Sequence, residues 1–313
     1  MHNRCLACYG LLDAEEHDYH MKCSRRFFSQ DSAPLWSFDQ QDFHHFAIEH
    51  VERKWAIPGV QPKLSIHWSK QNRANPRITL VGMLGNYILK LPTAAYPSLP
   101  EVEDLTMHLA SLAHIDVVPH TLIRLSSGDL AYLTKRIDRE GKKKLAMEDM
   151  CQLSGRLTED KYKGSVEQIA KTILRYSANP MLDIYNFSEQ VLFAYLTGNA
   201  DMHLKNYSLI EYPDQGYVLS PAYDLVSTIL VNPKDSEELA LPLNGKKKRI
   251  KRADFIHLFE TFGLDAKRQE NIFKKFVAVQ ASWSQCITDS FLSEEMKNDF
   301  QNLINTRMRI LIS

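Results

Sequence analysis

The sequence predicts an α+β protein with a β-rich amino-terminal lobe and a mainly helical carboxy-terminal lobe. Short apolar runs of strand length, separated by turn-forming residues, are concentrated between residues 60 and 135. After residue 145, apolar residues recur at the i, i+3, i+4 spacing of amphipathic helices. At 313 residues the chain is long enough for a core in each lobe. We therefore predict an N-terminal Cys/His knuckle (1–30), a β-rich lobe (31–137) and a helical lobe (138–313).

The composition is that of a globular chain without an evident electrostatic target. Apolar residues make up 44% of the sequence, which argues against large-scale disorder. Lys plus Arg and Asp plus Glu each number 38, so net charge does not support non-specific binding to nucleic acid or membrane. The sequence has no long uncharged apolar run and no signal-peptide core, so we expect a cytoplasmic protein that does not engage a membrane.

The start of the chain has the cysteine spacing of a metal site. Cys5 and Cys8 form a C-x₂-C pair, and His20 and Cys23 form an H-x₂-C pair. Three thiolates and one imidazole match the closed tetrahedral ligand set of a structural Zn²⁺ ion, although His17 competes for the fourth position. The alternative is that reduced cysteines pack as small apolar side chains beneath a short helix.

Five strands are predicted in the β-rich lobe. A helix is expected over Asp39–Trp55, and the Gly-containing turn after it, with Lys63, is a weak candidate for phosphate contact or simply leads into a strand. The segments that flank the Gly82–Gly85 turn are predicted to form a β-hairpin. The predicted strands cover Leu64–Trp68, Arg77–Val81, Asn86–Leu91, Thr121–Leu125 and Leu130–Lys135.

One lysine interrupts an otherwise apolar strand. A lysine at position 90 must extend to solvent or form an ion pair. We expect Lys90 to hold nucleotide phosphates, steadied by an acid from the helix that begins after Pro100. Of the two acids there, Glu103 is preferred to Glu101. A surface lysine on an edge strand is the alternative.

The segment Gly198–Leu225 has the residue order of a phosphoryl-transfer site. Asp201 lies five residues before Asn206, and Asp224 follows a predicted hairpin over residues 207–219. Phosphoryl transfer needs a carboxylate to accept a hydroxyl proton, and amide and carboxylate oxygens to bind Mg²⁺. The hairpin would let the two metal ligands converge. The alternative is a hairpin with ordinary acidic turn residues.

The carboxy-terminal lobe is predicted to consist of helices and one basic run. The run Lys246–Arg252 holds six basic residues. Such a run is usually a solvated loop, and the alternative is a docking patch for an acidic partner or a nucleic-acid backbone. Helices are predicted over 168–176, 186–196, 254–263, 266–279 and 294–312.

Taken in order, these pieces resemble the HipA-type serine/threonine kinases of bacterial toxin–antitoxin systems. The resemblance spans roughly residues 57–260 and implies a bilobal protein-kinase-like (HipA-like) fold that transfers the γ-phosphate of ATP to protein. The motifs that carry it are GVQPK (59–63), YILK (87–90), LPEVE (99–103), KRIDR (135–139), EDMCQL (148–153), GNADMHLKN (198–206), PAYDL (221–225) and LPLNGK (241–246).

Within that family the chain is more similar to HipT, the short kinase of three-component HipBST systems. The chain begins with the knuckle and reaches GVQPK at Gly59, which leaves no room for the extra β-rich subdomain of HipA, supplied there by the separate protein HipS. Ser65 follows GVQPKL, where HipT kinases carry an autophosphorylated serine. The likeness implies HipS-like and HipB-like antitoxin partners and DNA contact only through their complex. It implies that the substrate is an aminoacyl-tRNA synthetase, most plausibly the tryptophanyl enzyme, whose phosphorylation blocks translation.

The resemblance assigns roles to residues of this chain. Asp201 is the general base, Asn206 and Asp224 bind Mg²⁺, His203 lies beside the phosphates, and Lys90 contacts the α- and β-phosphates. The residues assigned to cover the nucleotide or contact adenine are Val60, Gln61, Pro62, Lys63, Leu64, Ser65, Lys135, Arg136, Ile137 and Tyr223.

The chain departs from the family pattern at two places. His67 stands where many HipT loops carry a second Ser or an acid, and Ser69 is a weaker substitute. Lys135 replaces the acid often seen at the hinge, so only backbone recognition of adenine is expected there. A phosphate on Ser65 would add about −1.5 to −2 charges, and we expect it to repel nucleotide or displace the loop and lower activity.

Two other functions fit parts of the same pattern. A kinase-like scaffold or corepressor could join a DNA-bound antitoxin complex through Lys246–Arg252, but it would not need the Asp201, Asn206 and Asp224 set. A small-molecule phosphotransferase shares the catalytic order, whereas the Ser65 segment and the knuckle favour the protein kinase.

Overall fold

The computed structural model divides into two compact units. The first unit comprises Met1–Asp104, Val118–Ile137 and Asp289–Phe291, and the second comprises Leu105–Val117, Asp138–Thr288 and Leu292–Ser313. The described stretches are residues 3–34, 63–69, 77–80, 85–141 and 143–312. The predictions for Asp39–Trp55, Val60, Gln61, Pro62 and residues 82–84 lie outside these stretches.

A five-stranded antiparallel sheet forms the centre of the first unit. The strands of the sheet are β1 (Lys63–Ser69), β2 (Arg77–Leu80), β3 (Tyr87–Lys90), β4 (His120–Arg124) and β5 (Leu130–Lys135). The same unit also contains α1 (Met21–Phe28) and the start of α2 (Leu99–Leu112). The strand order is β2-β1-β3-β5-β4, and each neighbouring pair is antiparallel. The predicted β4–β5 hairpin is confirmed.

The predicted hairpin across the Gly82–Gly85 turn is wrong. β2 and β3 pair with opposite edges of β1, so that Ile66 lies opposite both Leu80 and Tyr87. A Cβ built on Gly85 would lie 2.6 Å from the carbonyl oxygen of Ile66. The chain therefore passes close against β1 just before β3 begins, an approach that only glycine permits.

The start of α2 carries two acids in different environments. Glu103 Oε1 lies 2.5 Å from Lys90 Nζ, and both side chains are almost fully buried. This ion pair agrees with the preference for Glu103, and β3 is an interior strand rather than an edge strand. Glu101 Oε2 is buried without a hydrogen-bond partner among the described residues. Burial raises the pKa of Glu101 to about 7.

The second unit is mainly helical, as predicted for the carboxy-terminal half. Its helices are α3 (Met150–Leu153), α4 (Val166–Tyr176), α5 (Pro180–Thr197), α6 (Thr228–Val231), α7 (Arg252–Thr261), α8 (Ala266–Ala278), α9 (Gln280–Asp289) and α10 (Glu294–Ile312). Its strands are β6 (Arg139–Glu140), β7 (Lys143–Lys144), β8 (Met147–Asp149), β9 (Ser208–Tyr212) and β10 (Gly216–Leu219). The predicted β9–β10 hairpin is confirmed and extends to β8.

Helix α5 is the core of the second unit. Every residue from Phe187 to Thr197 is buried, as expected for a helix that is surrounded by others. The Phe193 ring packs edge-on against Trp283 at 5.7 Å, and the Trp283 indole donates a hydrogen bond to the Leu109 carbonyl at 2.8 Å. This rigid helix leads directly into the Gly198–Leu225 segment. None of the helices in the described stretches is long and apolar enough to cross a bilayer.

The buried Glu101 carboxyl predicts a pH-dependent stability. The pKa of Glu101 in the folded state, about 7, exceeds its value in the unfolded state, so the folded protein binds the proton more tightly. The free energy of unfolding is therefore highest below pH ~4.5 and falls as the pH rises towards 7. In Glu101→Gln the decrease in the free energy of unfolding between pH 4.5 and pH 8 should be smaller by up to about 3 kcal/mol. Urea unfolding at the two pH values measures this decrease. The exposed Glu15→Gln is the control, and a wild-type fall retained by Glu101→Gln would contradict the assignment.

Candidate active site

The backbone of Asp201 is fixed from both sides by a loop that caps α5. Gly198 ends the helix with φ +72°, and a Cβ there would lie 2.7 Å from Leu303 Cδ2, so the position requires glycine. Asn199 Oδ1 accepts a hydrogen bond of 3.1 Å from the Asp201 N–H. The Ala200 N–H donates to the Thr228 hydroxyl at 2.8 Å, which ties the loop to α6. The candidate base therefore has a rigid backbone.

The Asp201 carboxylate is accessible but held in place. Its side chain is 43% exposed. The Tyr162 hydroxyl donates a hydrogen bond to Asp201 Oδ1, and His203 Nε2 lies 4.0 Å from the same oxygen. A carboxylate that is exposed on one side and oriented on the other can accept a proton from an incoming hydroxyl group.

His203 is a buried, neutral side chain. Burial lowers the pKa of His203, and the positive charge of Lys161 lowers it further. The negative charges of Asp201 and Asp224 raise this pKa but do not outweigh burial. His203 Nδ1 is buried and has no hydrogen-bond partner within the described part of the chain. A neutral imidazole can donate one hydrogen bond but supplies no positive charge at pH 7.

The Asn206 side chain is oriented by the backbone of Asp201, five residues earlier in the chain. Its Nδ2 donates a hydrogen bond of 2.9 Å to the Asp201 carbonyl, so its Oδ1 is the atom directed elsewhere. Asp224 has φ +60°, a left-handed conformation that Asp tolerates better than most residues and that often occurs at functional sites. An amide oxygen and a carboxylate are the hard oxygen ligands that Mg²⁺ prefers.

Tyr223 anchors the segment that carries Asp224. Its hydroxyl donates a hydrogen bond of 2.9 Å to the Lys205 carbonyl and lies 2.5 Å from the Ser208 hydroxyl. Burial raises the pKa of Tyr223 well above its usual range, so the hydroxyl stays protonated. These bonds commit the hydroxyl within the protein, which favours a structural role for Tyr223 over the direct nucleotide contact expected from the sequence.

The EDMCQL motif (148–153) contacts the candidate catalytic loop, residues 198–206, which is called the catalytic loop below. Asp149 caps α3 by accepting the Gln152 N–H at 2.9 Å, and Gln152 accepts the Asp149 N–H in return. Lys205 Nζ lies 2.6 Å from Asp149 Oδ2, and the Met150 N–H donates to the Tyr207 carbonyl at 3.0 Å. The motif therefore positions Lys205 and its neighbours.

In the first unit, Lys90 is held away from solvent by two contacts. Besides the ion pair with Glu103, its Nζ lies 5.4 Å from the centre of the Tyr132 ring. In β3, Lys90 lies opposite Lys63 of β1 and Tyr132 of β5. A buried Lys–Glu pair of this kind presents a fixed cation, which suits phosphate recognition.

Ser65 lies in β1, which confirms the strand predicted from Leu64 and corrects the expectation that a phosphate on Ser65 would act within a loop. It is opposite Ile88 in the β1–β3 ladder, and Lys63 and Leu64 pair within the same ladder. Its hydroxyl accepts the Gly85 N–H at 3.1 Å. Apolar and polar side chains alternate along β1, with Leu64, Ile66 and Trp68 between polar neighbours, which is the period-two pattern of a strand.

Two of the predicted hinge residues already use their N–H groups. The Lys135 N–H donates to the Pro119 carbonyl at 2.9 Å and the Arg136 N–H to the Asn86 carbonyl at 2.8 Å. The Lys135 ammonium lies 5.0 Å from the centre of the Phe27 ring of α1. Donation to adenine from this segment would therefore have to come from Ile137.

The four knuckle residues converge. The ligand atoms of Cys5, Cys8, His20 and Cys23 all lie within 4.8 Å of one another. His17, the competing fourth ligand, is exposed and not part of this group. A hydrogen bond with the Cys5 thiol lowers the pKa of Cys8 to about 4.

Three of the six basic residues in the run 246–252 form ion pairs within the chain. Lys246 lies 2.7 Å from Asp254, Lys247 lies 3.1 Å from Glu237, and Arg252 lies 2.9 Å from Glu270. These contacts reduce the positive charge available to an acidic partner.

Sequence reasoning missed Tyr162, Asn199 and Thr228, all of which contact the catalytic loop. Tyr162 lies 39 residues before its carboxylate partner, and no local spacing indicates that contact. The glycine at position 164 is a weak sequence indication that this segment packs closely against another, because a Cβ there would lie 3.1 Å from Leu204 Cδ2.

Known proteins similar in sequence are named as kinases. The chain is 32% identical over 219 residues to "Putative kinase Y4dM" of Sinorhizobium fredii, covering 66% of this chain and 53% of that protein. It is 33% identical over 234 residues to a "Putative kinase" of Haemophilus influenzae, covering 69% and 65%. It is 29% identical over 211 residues to the serine/threonine-protein kinase toxin HipA of Shewanella oneidensis, covering 61% and 47%. The chain thus spans between about half and two thirds of these relatives.

Solved structures show the same fold. HipA of Shewanella oneidensis, in a complex with HipB and operator DNA, matches with a TM-score of 0.70 and 21% identity over 85% of this chain and 70% of that one. The Helicobacter pylori proinflammatory kinase CtkA matches with a TM-score of 0.54 and 15% identity over 83% and 91%. The α+β, protein-kinase-like fold class predicted from the sequence is confirmed.

The sequence match to the family covers most of the chain. Residues 55–283 match the HipA-like C-terminal domain, a range that includes the Lys90–Glu103 pair, the catalytic loop and Asp224. The chain therefore belongs to the HipA-like C-terminal domain family.

Proposed function

We propose that the chain is a serine/threonine protein kinase whose general base is Asp201. The observation that carries the proposal is the geometry of the catalytic loop. The Asp201 backbone is held by Asn199 and by Asn206, while its carboxylate is exposed. Phosphoryl transfer depends mainly on positioning and charge stabilisation, and an exposed carboxylate on a fixed backbone, joined to an oriented amide group, suits that chemistry.

Asn206 and Asp224 would hold the Mg²⁺ that accompanies ATP. The donor set fits, because the Asn206 amide nitrogen is committed to the Asp201 carbonyl and leaves the amide oxygen for a cation. When bound, Mg²⁺ neutralises charge on the phosphates. Asp201 orients the substrate hydroxyl and accepts its proton, and the buried His203 lends a neutral hydrogen-bond donor. Lys90, steadied by Glu103, contributes a fixed cation for the α- and β-phosphates.

The substrate and partners follow from the family likeness. We propose that the chain is a HipT-like toxin that phosphorylates a serine of an aminoacyl-tRNA synthetase, with the tryptophanyl enzyme as the first candidate. Such a modification would stop tRNA charging in the cytoplasm. HipS-like and HipB-like proteins are the proposed antitoxins, and DNA contact would be indirect through their complex. The similarity to HipA, solved with HipB and operator DNA, supports an antitoxin partner of this kind.

The runner-up functions receive less support from the geometry. A DNA-directed scaffold would use the basic run, but Lys246, Lys247 and Arg252 are paired with acids of the same chain. A small-molecule phosphotransferase needs the same catalytic loop and is separated from the protein kinase by its substrate alone.

We also propose autophosphorylation at Ser65 as the off switch. A phosphate on Ser65 Oγ would replace the bond from the Gly85 N–H, at a point where a Gly85 Cβ would already lie only 2.4 Å from that oxygen. The β1–β3 ladder would have to separate to accommodate it. Because β3 carries Lys90 two residues beyond the partner of Ser65, separation would displace the phosphate-binding cation. Phosphorylation of Ser65 would therefore lower activity.

Replacing the proposed base tests the kinase directly. Asp201→Asn keeps the size of the side chain but removes its basicity, and kcat should fall on the order of 10²–10⁴-fold. Transfer of ³²P from γ-labelled ATP to tryptophanyl-tRNA synthetase and growth on induction are measured together.

The matched control is Asp214→Asn, the same change in the exposed β9–β10 turn, which should keep wild-type transfer. Equal toxicity of Asp201→Asn and wild type would contradict the enzymatic proposal. Transfer to small molecules but to no protein would favour the phosphotransferase.

The switch is tested by charge at position 65. Ser65→Asp should lower kcat on the order of tenfold or more, the effect of about 1.4 kcal/mol on the barrier, whereas Ser65→Ala should remain active and accumulate no phosphate at this site. Intact mass after incubation with ATP reports phosphorylation. Ser126→Asp in the exposed β4–β5 turn is the charge control. A fully active and toxic Ser65→Asp variant would rule out the switch.

A further inference from the structure

We propose that Cys5, Cys8, His20 and Cys23 bind one structural Zn²⁺ ion and that this ion secures the outer strand of the five-stranded sheet. The four ligand atoms lie within 4.8 Å of one another, close enough for a single ion with bonds of about 2.0–2.3 Å. Four protein ligands close the coordination shell, so the site leaves no position for a reacting water. This is a metal site separate from the proposed kinase chemistry.

The His20 ring is already oriented as a metal ligand. Its Nδ1 lies 3.3 Å from Cys8 Sγ and 3.8 Å from Cys23 Sγ, while Nε2 lies 2.9 Å from the Leu11 carbonyl oxygen. Histidines that bind metals typically donate the second ring N–H to a carbonyl, which fixes the tautomer. Gly10 leaves room for the ring, because a Cβ there would lie 3.1 Å from His20 Cε1.

Packing as apolar side chains does not explain the cluster. Cys5 is buried, but Cys8 is exposed and Cys23 is half-buried. Three sulfur atoms that converge on one imidazole nitrogen at the surface gain little from apolar burial, whereas a cation would bind all four.

The knuckle lies along β4, the last strand in the order β2-β1-β3-β5-β4. The Leu6 carbonyl accepts the Leu122 N–H at 3.2 Å, and the Tyr19 hydroxyl donates to the Leu122 carbonyl. Leu6 is adjacent to Cys5, and Tyr19 is adjacent to His20. Both halves of the proposed metal site therefore have a sequence neighbour that is hydrogen-bonded to Leu122 of β4. The ion would therefore hold in place the two residues that contact β4 at the outer edge of the described sheet.

Metal content and edge protection test both halves of the proposal. The full-length protein, purified with Zn²⁺, should hold one equivalent, and Co²⁺ in its place should give the visible absorption of a tetrahedral site rich in thiolate. Removal of zinc by a chelator should lower the Tm by ~5 °C or more and speed hydrogen exchange of the Leu122 amide. Exchange in β9 and β10 should not change.

Cys8→Ser and Cys23→Ser should lose the metal, and Cys286→Ser, a half-buried cysteine of α9, should retain it. Wild-type protein without bound zinc, or ligand variants that keep it, would overturn the metal site. Zinc loss without change at Leu122 would overturn its coupling to β4.

We further propose that Tyr162 is a positioning residue for Asp201, an inference that rests on the proposed kinase function. The Tyr162 hydroxyl donates to Asp201 Oδ1, and its ring packs edge-on against His203 at 5.1 Å. The loop that carries Tyr162 is joined to the catalytic loop, because the Leu204 N–H donates to the Lys161 carbonyl at 3.1 Å. Burial, reinforced by Asp201, raises the pKa of Tyr162 above its usual range, so the hydroxyl remains a donor.

This bond would select the oxygen that meets the substrate. With Oδ1 held by Tyr162, Oδ2 of the half-exposed carboxylate is the oxygen that can accept the hydroxyl proton. Without the bond, the carboxylate could rotate, and a small misplacement of a reacting group is costly in rate.

A double-mutant comparison separates positioning from general structural damage. Tyr162→Phe should lower kcat by on the order of ten- to a hundredfold while the KM for ATP stays constant. In an Asp201→Asn background the same change should have no further effect. Tyr176→Phe is the control, since Tyr176 is 43% exposed and Tyr162 44%.

An unchanged or increased kcat for Tyr162→Phe would overturn the positioning role, and an increase would identify the contact as a brake. Equal losses with and without the Asp201 carboxylate would indicate a structural role only. If Asp201→Asn itself retains full activity, the kinase proposal fails instead.

Discussion

The hydrogen bond from the Asn206 side chain to the Asp201 carbonyl is the constraint on which the site depends. It joins the proposed metal ligand to the proposed base within six residues and determines which amide atom can meet a cation. The loop that contains this bond follows the buried second half of α5, residues 187–197, and begins at a glycine in the left-handed conformation. The core of the second unit is thus the support for its chemistry.

The first unit shows a comparable arrangement around β3. This strand carries Lys90 at one end and pairs with Ser65 on one side, so the proposed phosphate-binding cation and the proposed regulatory serine share one ladder. Glu103 compensates the buried lysine, whereas Oε2 of the half-buried Glu101 has no hydrogen-bond partner among the described residues. At the far edge of the sheet, the knuckle covers β4. Backbone pairing is therefore the means by which phosphorylation of Ser65 or metal binding at the knuckle would affect the proposed nucleotide contact of Lys90.

Local patterns predicted much of this fold. Helical spacing identified α4, α5, α7, α8 and α10, and turn residues identified the β4–β5 and β9–β10 hairpins. The wrong hairpin after β2 arose because a glycine turn does not reveal which strand its neighbours will pair with, and β1 offered a free edge on each side. The strand predicted from Leu64 already included Ser65, but its pairing with Ile88 of β3 is non-local and could not be predicted from the sequence.

The candidate site was predictable where chemistry is encoded by residue type and order, as for Asp201, Asn206, Asp224 and the knuckle cysteines. Tyr162 was not, because its contact with Asp201 spans two loops distant in sequence.

The proposed metal site is tested most directly by Mn²⁺ binding in the presence of a non-hydrolysable ATP analogue, measured by electron paramagnetic resonance. Wild type should bind Mn²⁺ at the site, and Asp224→Asn should weaken that binding on the order of tenfold or more. Equal Mn²⁺ affinity in the two proteins would contradict the assignment of Asp224 as a metal ligand.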